Sequence, residues 1–131
     1  MRIQKILPAA GFVLFLSLIF LLGGTAQAQI TPAQEQEFTD AKLALEAAQK
    51  VQGEKYAAEP LRQGQDLLVT ADNARQQKDA VKFTQASRVA RAYAELAKAI
   101  AELRTEEEKL VKVQEDLQKA KAEIDRLKKA Q

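Results

Sequence analysis

Residues 80–131 decide the fold, and they read AVKFTQASRVARAYAELAKAIAELRTEEEKLVKVQEDLQKAKAEIDRLKKAQ. This stretch contains neither Gly nor Pro, and it is dominated by Ala, Leu, Lys and Glu, which are strong helix formers. Asp79, directly before it, is a good N-cap residue. The sequence therefore predicts one long helix from residue 80 onward, about 75 Å in length at 1.5 Å per residue.

Apolar residues recur every seven positions along this helix. One series consists of Val89, Leu96, Leu103, Leu110, Leu117 and Ile124. A second series follows three positions later and consists of Ala92, Ala99, Glu106, Val113, Ala120 and Leu127. Because Glu106 interrupts the second series, the regular heptads run from 110 to 127. We predict a coiled-coil extension over 105–131, with an association seam formed by Leu110, Val113, Leu117, Ile124 and Leu127.

The charges beside this seam favour parallel pairing of two identical chains. Asp116 of one helix would lie near Lys121 of the other, and Glu123 would lie near Lys128. We therefore predict a homodimer. A trimer and pairing with a helix of another protein are alternatives, because Leu at the first heptad position is not specific to dimers.

Thr105 offers a different arrangement of the same residues. Thr105 and Glu108 have the spacing of a capping box, so the helix could break there and a fourth helix could fold back. No Gly or Pro supports such a break, and we therefore favour a continuous helix.

The chain before the long helix predicts two shorter helices. Thr31 and Gln34 form a capping box at the start of the first, which we place at about 32–52. Gly53 is its predicted stop. Pro60 is the predicted first residue of the second helix.

The second helix is predicted over about 60–77, since Pro suits the first helical position. Both short helices carry apolar residues at alternating three- and four-residue spacing, which is typical of a buried helix face. The predicted fold is all-α: an antiparallel three-helix bundle or hairpin over 29–104, whose long third helix continues into the coiled coil.

The chain after residue 28 contains four aromatic residues, namely Phe38, Tyr56, Phe83 and Tyr93. We interpret them as structural anchors, with Tyr56 and Pro60 marking a turn that packs on the third helix near Phe83 or Tyr93. The alternative is that they line a ligand cleft. So few aromatic residues more often form core contacts.

The first 28 residues resemble a secretory signal peptide. Arg2 and Lys5 precede an apolar run over 6–22, and small residues at 26 and 28 predict cleavage between Ala28 and Gln29. The alternative is an uncleaved anchor, although the run is at the lower limit for a membrane span. We expect a periplasmic protein with no membrane span after cleavage.

The composition excludes most enzyme chemistry. The chain has no Cys and no His, so thiol nucleophiles, imidazole bases and their metal sites are absent. Without residues 1–28 it carries 18 basic and 18 acidic residues, and this balance does not predict a nucleic-acid partner. We predict no enzyme activity, no cofactor and no metal.

Two charged clusters are further candidate binding sites. Arg88 and Arg91 could bind an anion or a polymer, but Glu95 lies beside them, which favours an ordinary surface. The acidic run 106–108 could hold a cation. Consecutive helical side chains point about 100° apart, however, so these three carboxylates do not converge.

The residues Tyr56-Ala57-Ala58-Glu59-Pro60-Leu61 and Ala92-Tyr93-Ala94-Glu95-Leu96-Ala97 resemble two conserved stretches of a known family. It is the bacterial envelope family catalogued as domain of unknown function forty-three ninety-eight. The resemblance implies an exported, Ala-rich helical module without catalytic residues.

Two functions fit these observations. The first is a non-enzymatic structural or interaction module of the cell envelope, which acts through its helical surfaces and coiled coil. The second is a periplasmic holding chaperone that shelters unfolded envelope proteins. A chaperone should expose an apolar or strongly charged inner surface, whereas residues 105–131 are polar except for one narrow seam. This favours the first hypothesis.

Overall fold

The structure is a computed structural model and describes residues 28–131. The predicted signal segment, apart from Ala28, lies outside these residues. Within them the chain is helical and contains no strand, which confirms the predicted all-α fold. Residues 28–131 form four helices: α1 (Pro32–Lys50), α2 (Gly53–Tyr56), α3 (Ala58–Gln76) and α4 (Ala80–Lys129).

The capping box at the start of α1 is present as predicted. The Thr31 hydroxyl accepts a hydrogen bond from the backbone N–H of Gln34 at 3.3 Å. In return, the Gln34 side-chain oxygen accepts one from the backbone N–H of Thr31 at 2.8 Å. Two donors that the first helical turn leaves without partners are thereby satisfied.

The junction after α1 differs from the prediction. Gly53 does not act as the stop of α1, which ends at Lys50, but begins the short helix α2. The left-handed residue is Gln52, with φ of 67°. Position 53 requires glycine for a steric reason: a Cβ atom there would lie 2.6 Å from the carbonyl oxygen of Ala48.

Pro60 also lies elsewhere than predicted. It is the third residue of α3, which begins at Ala58, and not the first. The position tolerates proline because the N–H groups of the first helical turn have no intrahelical acceptor. Ala57, between α2 and α3, is buried and terminates α2.

The helices form an up-down-up bundle centred on α4, which packs against each of the others. Gln34 at the start of α1 donates to the Thr84 hydroxyl near the start of α4. Tyr56 at the end of α2 reaches Glu108, much further along α4. Thus α1 and α4 are parallel, and α3 returns antiparallel to both.

Small residues let the three long helices approach closely. Gly64 on α3 faces the α4 backbone, where a Cβ atom would lie 3.3 Å from the carbonyl oxygen of Ala90. The same atom would lie 3.0 Å from the Leu45 side chain on α1. The buried core is accordingly made mainly of alanines, together with Phe38, Leu45, Leu61 and Phe83.

The long helix α4 is continuous through Thr105, so the predicted alternative of a break there is wrong. Inside the helix, the Thr105 hydroxyl donates to the carbonyl oxygen of Ala101 at 2.8 Å. Every residue from Glu106 onward is exposed. We call the segment from Glu106 to Lys129 the overhang; it is about 36 Å long at 1.5 Å per residue.

Candidate interaction surface

The inner face of α4 holds the bundle together. Its buried residues are mostly alanines, and all except Ala86 follow alternating three- and four-residue spacing: Ala80, Phe83, Ala86, Ser87, Ala90, Ala94, Ala97 and Ala101. The one polar side chain among them, Ser87, donates to the carbonyl oxygen of Phe83 at 2.8 Å. This face is therefore closely packed, and its one polar side chain has a hydrogen-bond partner.

The outer face of α4 carries the two heptad series, and it is exposed along its whole length. Its large aliphatic side chains, from Val89 to Leu127, are 45 to 63% exposed. We divide this outer seam into two parts. The proximal seam lies on the part of α4 that packs in the bundle, on the side facing away from α1 and α3. It comprises Val89, Ala92, Leu96, Ala99 and Leu103. The distal seam, on the overhang, comprises Leu110, Val113, Leu117, Ala120, Ile124 and Leu127.

The distal seam contains the five predicted association residues. All of them are exposed along one side of the overhang, and no other described helix covers that side. The exposed proximal seam was not among the predicted association residues, because the bundle was expected to include residues 29–104. The signal was present, because the heptads begin at Val89. A separate alanine stripe faces the core and leaves those heptads free.

Acidic residues near the seam pair with cations on their own helix. Glu106, which interrupts the second series, lies 2.7 Å from Lys109. On the overhang, Asp116 lies 3.8 Å from Lys119. Such exposed pairs within one helix are weak, so they do not prevent the same side chains from turning to a partner.

Tyr56 joins the α2–α3 junction to the base of the overhang. Its hydroxyl donates to a carboxylate oxygen of Glu108 at 2.6 Å, and Lys55 Nζ lies 3.4 Å from the other oxygen. Lys55 also contacts the Tyr56 hydroxyl and lies over its ring, 4.3 Å from the centroid. This cluster of three side chains, which we call the Tyr56 strap, lies at the point where α4 leaves the bundle.

The strap perturbs the ionisation of its charged members. The hydrogen bond from Tyr56, followed by the contact with Lys55, holds the pKa of Glu108 below its ordinary value. The hydrogen bond with Tyr56, followed by that with Glu108, raises the pKa of Lys55. Both changes favour the charged pair.

The predicted turn does pack on the long helix near Tyr93, because Ala57 and Leu61 share a core cluster with Ala94 and Ala97. Tyr56 itself contacts Glu108 and lies far from Phe83, so the predicted alternative near Phe83 is wrong. The ring of Phe83 instead packs on that of Phe38, with centroids 5.4 Å apart. Tyr93 is half-buried. The pairing of Phe38 with Phe83 depends on the register of α1 against α4, which no local pattern specifies.

Arg88 and Arg91, the candidate anion site, are engaged in ion pairs. Arg88 binds the Glu37 carboxylate through two nitrogens, at 2.7 and 2.9 Å, and this contact raises the pKa of Arg88. Arg91 lies 2.7 Å from Glu95 and 3.6 Å from Asp40. The contacts with Glu37 and Asp40 tie α1 to α4, whereas the Arg91–Glu95 pair lies within α4, and we assign all three a structural role.

The acidic run 106–108 does not converge on one point. Glu106 pairs with Lys109, Glu107 pairs with Arg104 at 2.8 Å, and Glu108 belongs to the Tyr56 strap. Within residues 28–131 no cluster of three acidic side chains has the geometry of a metal site. Over the same residues, every buried side-chain nitrogen or oxygen has a hydrogen-bond partner.

None of the four helices has an apolar stretch long enough to cross a membrane. The predicted cleavage residues Ala28 and Gln29 are exposed and precede α1.

Searches with family models, curated proteins and solved structures gave no match to this chain. The family resemblance stays a prediction, and the outer seam of α4 is the candidate functional surface.

Proposed function

We propose that this chain is an exported, non-enzymatic protein of the bacterial cell envelope. In this proposal it acts as a structural and interaction module, through its helical surfaces and a coiled coil built on α4. The observation that carries the proposal is the overhang. It projects Leu110, Leu117 and Ile124 into solvent on one side, and outside the distal seam its only apolar side chains are Val111 and Ala122.

Burial of the distal seam supplies the driving force. Removing one large aliphatic side chain from water contributes about 1.5–3 kcal/mol. The distal seam offers five such side chains, so their combined effect exceeds that of the exposed ion pairs beside them. A narrow apolar stripe at heptad spacing fits another helix, whereas an unfolded client would need a broader surface.

Two sequence features support export. Residues 1–28 have the positive start, apolar run and small-residue site of a signal peptide, which directs a chain across the inner membrane. The resemblance to the envelope family points to the same compartment. Both features support a periplasmic location in this proposal.

A crosslinking pull-down from intact cells tests the proposal. The wild type should capture one protein, either a second copy of this chain or a defined envelope component. Leu117→Lys places a charge in the distal seam and should abolish the capture. Ala122→Lys is the matched control, because Ala122 is exposed on the opposite side of the same segment. It should capture as the wild type does.

Two results would contradict the proposal. Capture of many unrelated unfolded proteins would favour the holding chaperone. Equal capture by Leu117→Lys and wild type would show that the seam is not the interaction surface.

A further inference from the structure

We propose that a second copy of this chain pairs with the first in parallel and in register along the entire outer seam, from Val89 to Leu127. The two bundles would then lie on the outer sides of a central pair of α4 helices. This inference rests on the proposed function, because it requires α4 to act as a coiled coil. It adds the identity of the partner, the orientation and the extent of the interface.

The distal seam alone is short for a coiled coil, which is the first reason to include the proximal seam in the interface. The distal seam, from Leu110 to Leu127, covers about 2.5 heptads, whereas a dependable coiled coil has at least 3–4 heptads. The full seam, from Val89 to Leu127, covers about 5.5 heptads and is about 57 Å long. The proximal seam adds the heptads that the distal seam lacks.

The bundle leaves room for this pairing. At 100° per residue, Leu96 lies about 200° around the helix from Ala94. Ala94 is fully buried against the bundle, whereas Leu96 is half-exposed. Because α1 and α3 occupy the inner side of α4, a second α4 can approach the proximal seam without meeting them. Ala92 and Ala99 on that seam permit a close approach of the two helices.

Charge complementarity on the overhang favours a second copy in the parallel orientation. In register, Asp116 of each chain lies next to Lys121 of the other, and Glu123 lies next to Lys128. The chain therefore complements itself at four contacts in a two-fold dimer.

A full-length antiparallel pair would bring like charges together. If Leu117 lay opposite Ala99 of the second copy, Glu102 would meet Asp116, and Lys109 would meet its own counterpart. These contacts disfavour that arrangement.

The parallel dimer contains one unfavourable layer, where Glu106 faces its counterpart and Glu102 faces Glu107. Each of these carboxylates already has a cation on its own helix: Glu102 lies 3.6 Å from Lys98, Glu107 2.8 Å from Arg104, and Glu106 2.7 Å from Lys109. These cations reduce the repulsion in the layer. This layer lies between the proximal and the distal seam and leaves both of them free to pair.

Because the chain contains no Cys, single cysteine variants report the pairing directly. Ala99→Cys probes the proximal seam, and Val113→Cys probes the distal seam. Ala122→Cys is the control on the opposite side of the overhang. All three positions are exposed, so these variants should fold. On mild oxidation of the purified protein, both seam variants should form covalent dimers roughly tenfold faster than the control.

The other outcomes overturn the inference in distinguishable ways. If Val113→Cys crosslinks and Ala99→Cys does not, the proximal seam is unpaired, although the proposed function stands. A disulfide between Ala99→Cys and Leu117→Cys chains, without one between two Ala99→Cys chains, would establish antiparallel pairing. If no variant exceeds the control, the second copy is not the partner. A defined envelope protein in the pull-down would then still support the proposed function.

Discussion

Ala94 and Leu96 lie two residues apart on α4 and face opposite ways. Ala94 is 0% exposed against the bundle, and Leu96 is 49% exposed on the outer seam. The same helix therefore carries a narrow alanine stripe that packs its own bundle and a Leu-rich stripe that no other described helix covers. A helix apolar on two sides is expected to have two sets of neighbours. This relationship underlies the proposals on the function of α4.

The inner stripe should not tolerate larger side chains. Ala94→Leu should lower the free energy of unfolding by about 1–3 kcal/mol, because added methyl groups in a packed core force the neighbours apart. Ala122→Leu makes the same change at an exposed position of α4 and should have little effect. Urea unfolding followed by circular dichroism measures both. Equal stability of the two variants would show that α4 is not packed closely at Ala94.

Phe38 should contribute much more to stability than Tyr56 does. It is 3% exposed and packs on Phe83, so Phe38→Ala should cost about 3–5 kcal/mol. Tyr56→Ala should cost much less, because Tyr56 is only partly buried and its hydrogen bond is exposed. Thermal unfolding of both variants checks the order. The reverse order would contradict the observed pairing of the two phenylalanines.

The Tyr56 strap should respond to acid in a defined direction. Glu108 has a folded pKa below its ordinary value of 4.5, so it stabilises the fold above that pH. The contribution disappears as the pH falls through the lower folded pKa. Lys55, whose pKa is raised, stays charged throughout this range.

Tyr56→Phe removes the hydrogen bond to Glu108 and tests this behaviour. Its melting temperature should lie below that of the wild type at about pH 7, and the difference should vanish at about pH 2, where carboxylates are protonated. A difference that persists unchanged in acid would show that the hydroxyl acts independently of the Glu108 carboxylate.

Export should remove residues 1–28. N-terminal sequencing of protein from the periplasm should begin at Gln29, since Ala28 completes the small-residue cleavage site. Full-length chain recovered from the membrane fraction would instead support an uncleaved anchor.

Much of this fold could be predicted from local sequence patterns. The capping box of Thr31 and Gln34 depends on four consecutive residues and was predicted correctly. The continuity of α4 follows from the absence of Gly and Pro after Asp79. The heptads also predicted which side chains of the overhang share one side, since helical geometry alone determines this.

The errors concern contacts between distant parts of the chain. The partner of Tyr56 is Glu108, 52 positions away, and only the packing of α2 and α3 on α4 brings them together. The role of Gly53 is set by its distance from Ala48 in the folded junction and not by its own backbone angles. The heptads of the proximal seam are visible in the sequence, but its exposure became clear only from the packing of α1 and α3 on the alanine side of α4.

Sedimentation equilibrium of the purified protein over micromolar concentrations tests the central claim most directly. The wild type and the control Ala122→Lys should sediment with twice the chain mass, whereas Leu117→Lys should shift to the monomer mass. Circular dichroism should show that all three remain helical. A wild type that is monomeric throughout this range, with Leu117→Lys indistinguishable from it, would contradict self-association through the outer seam.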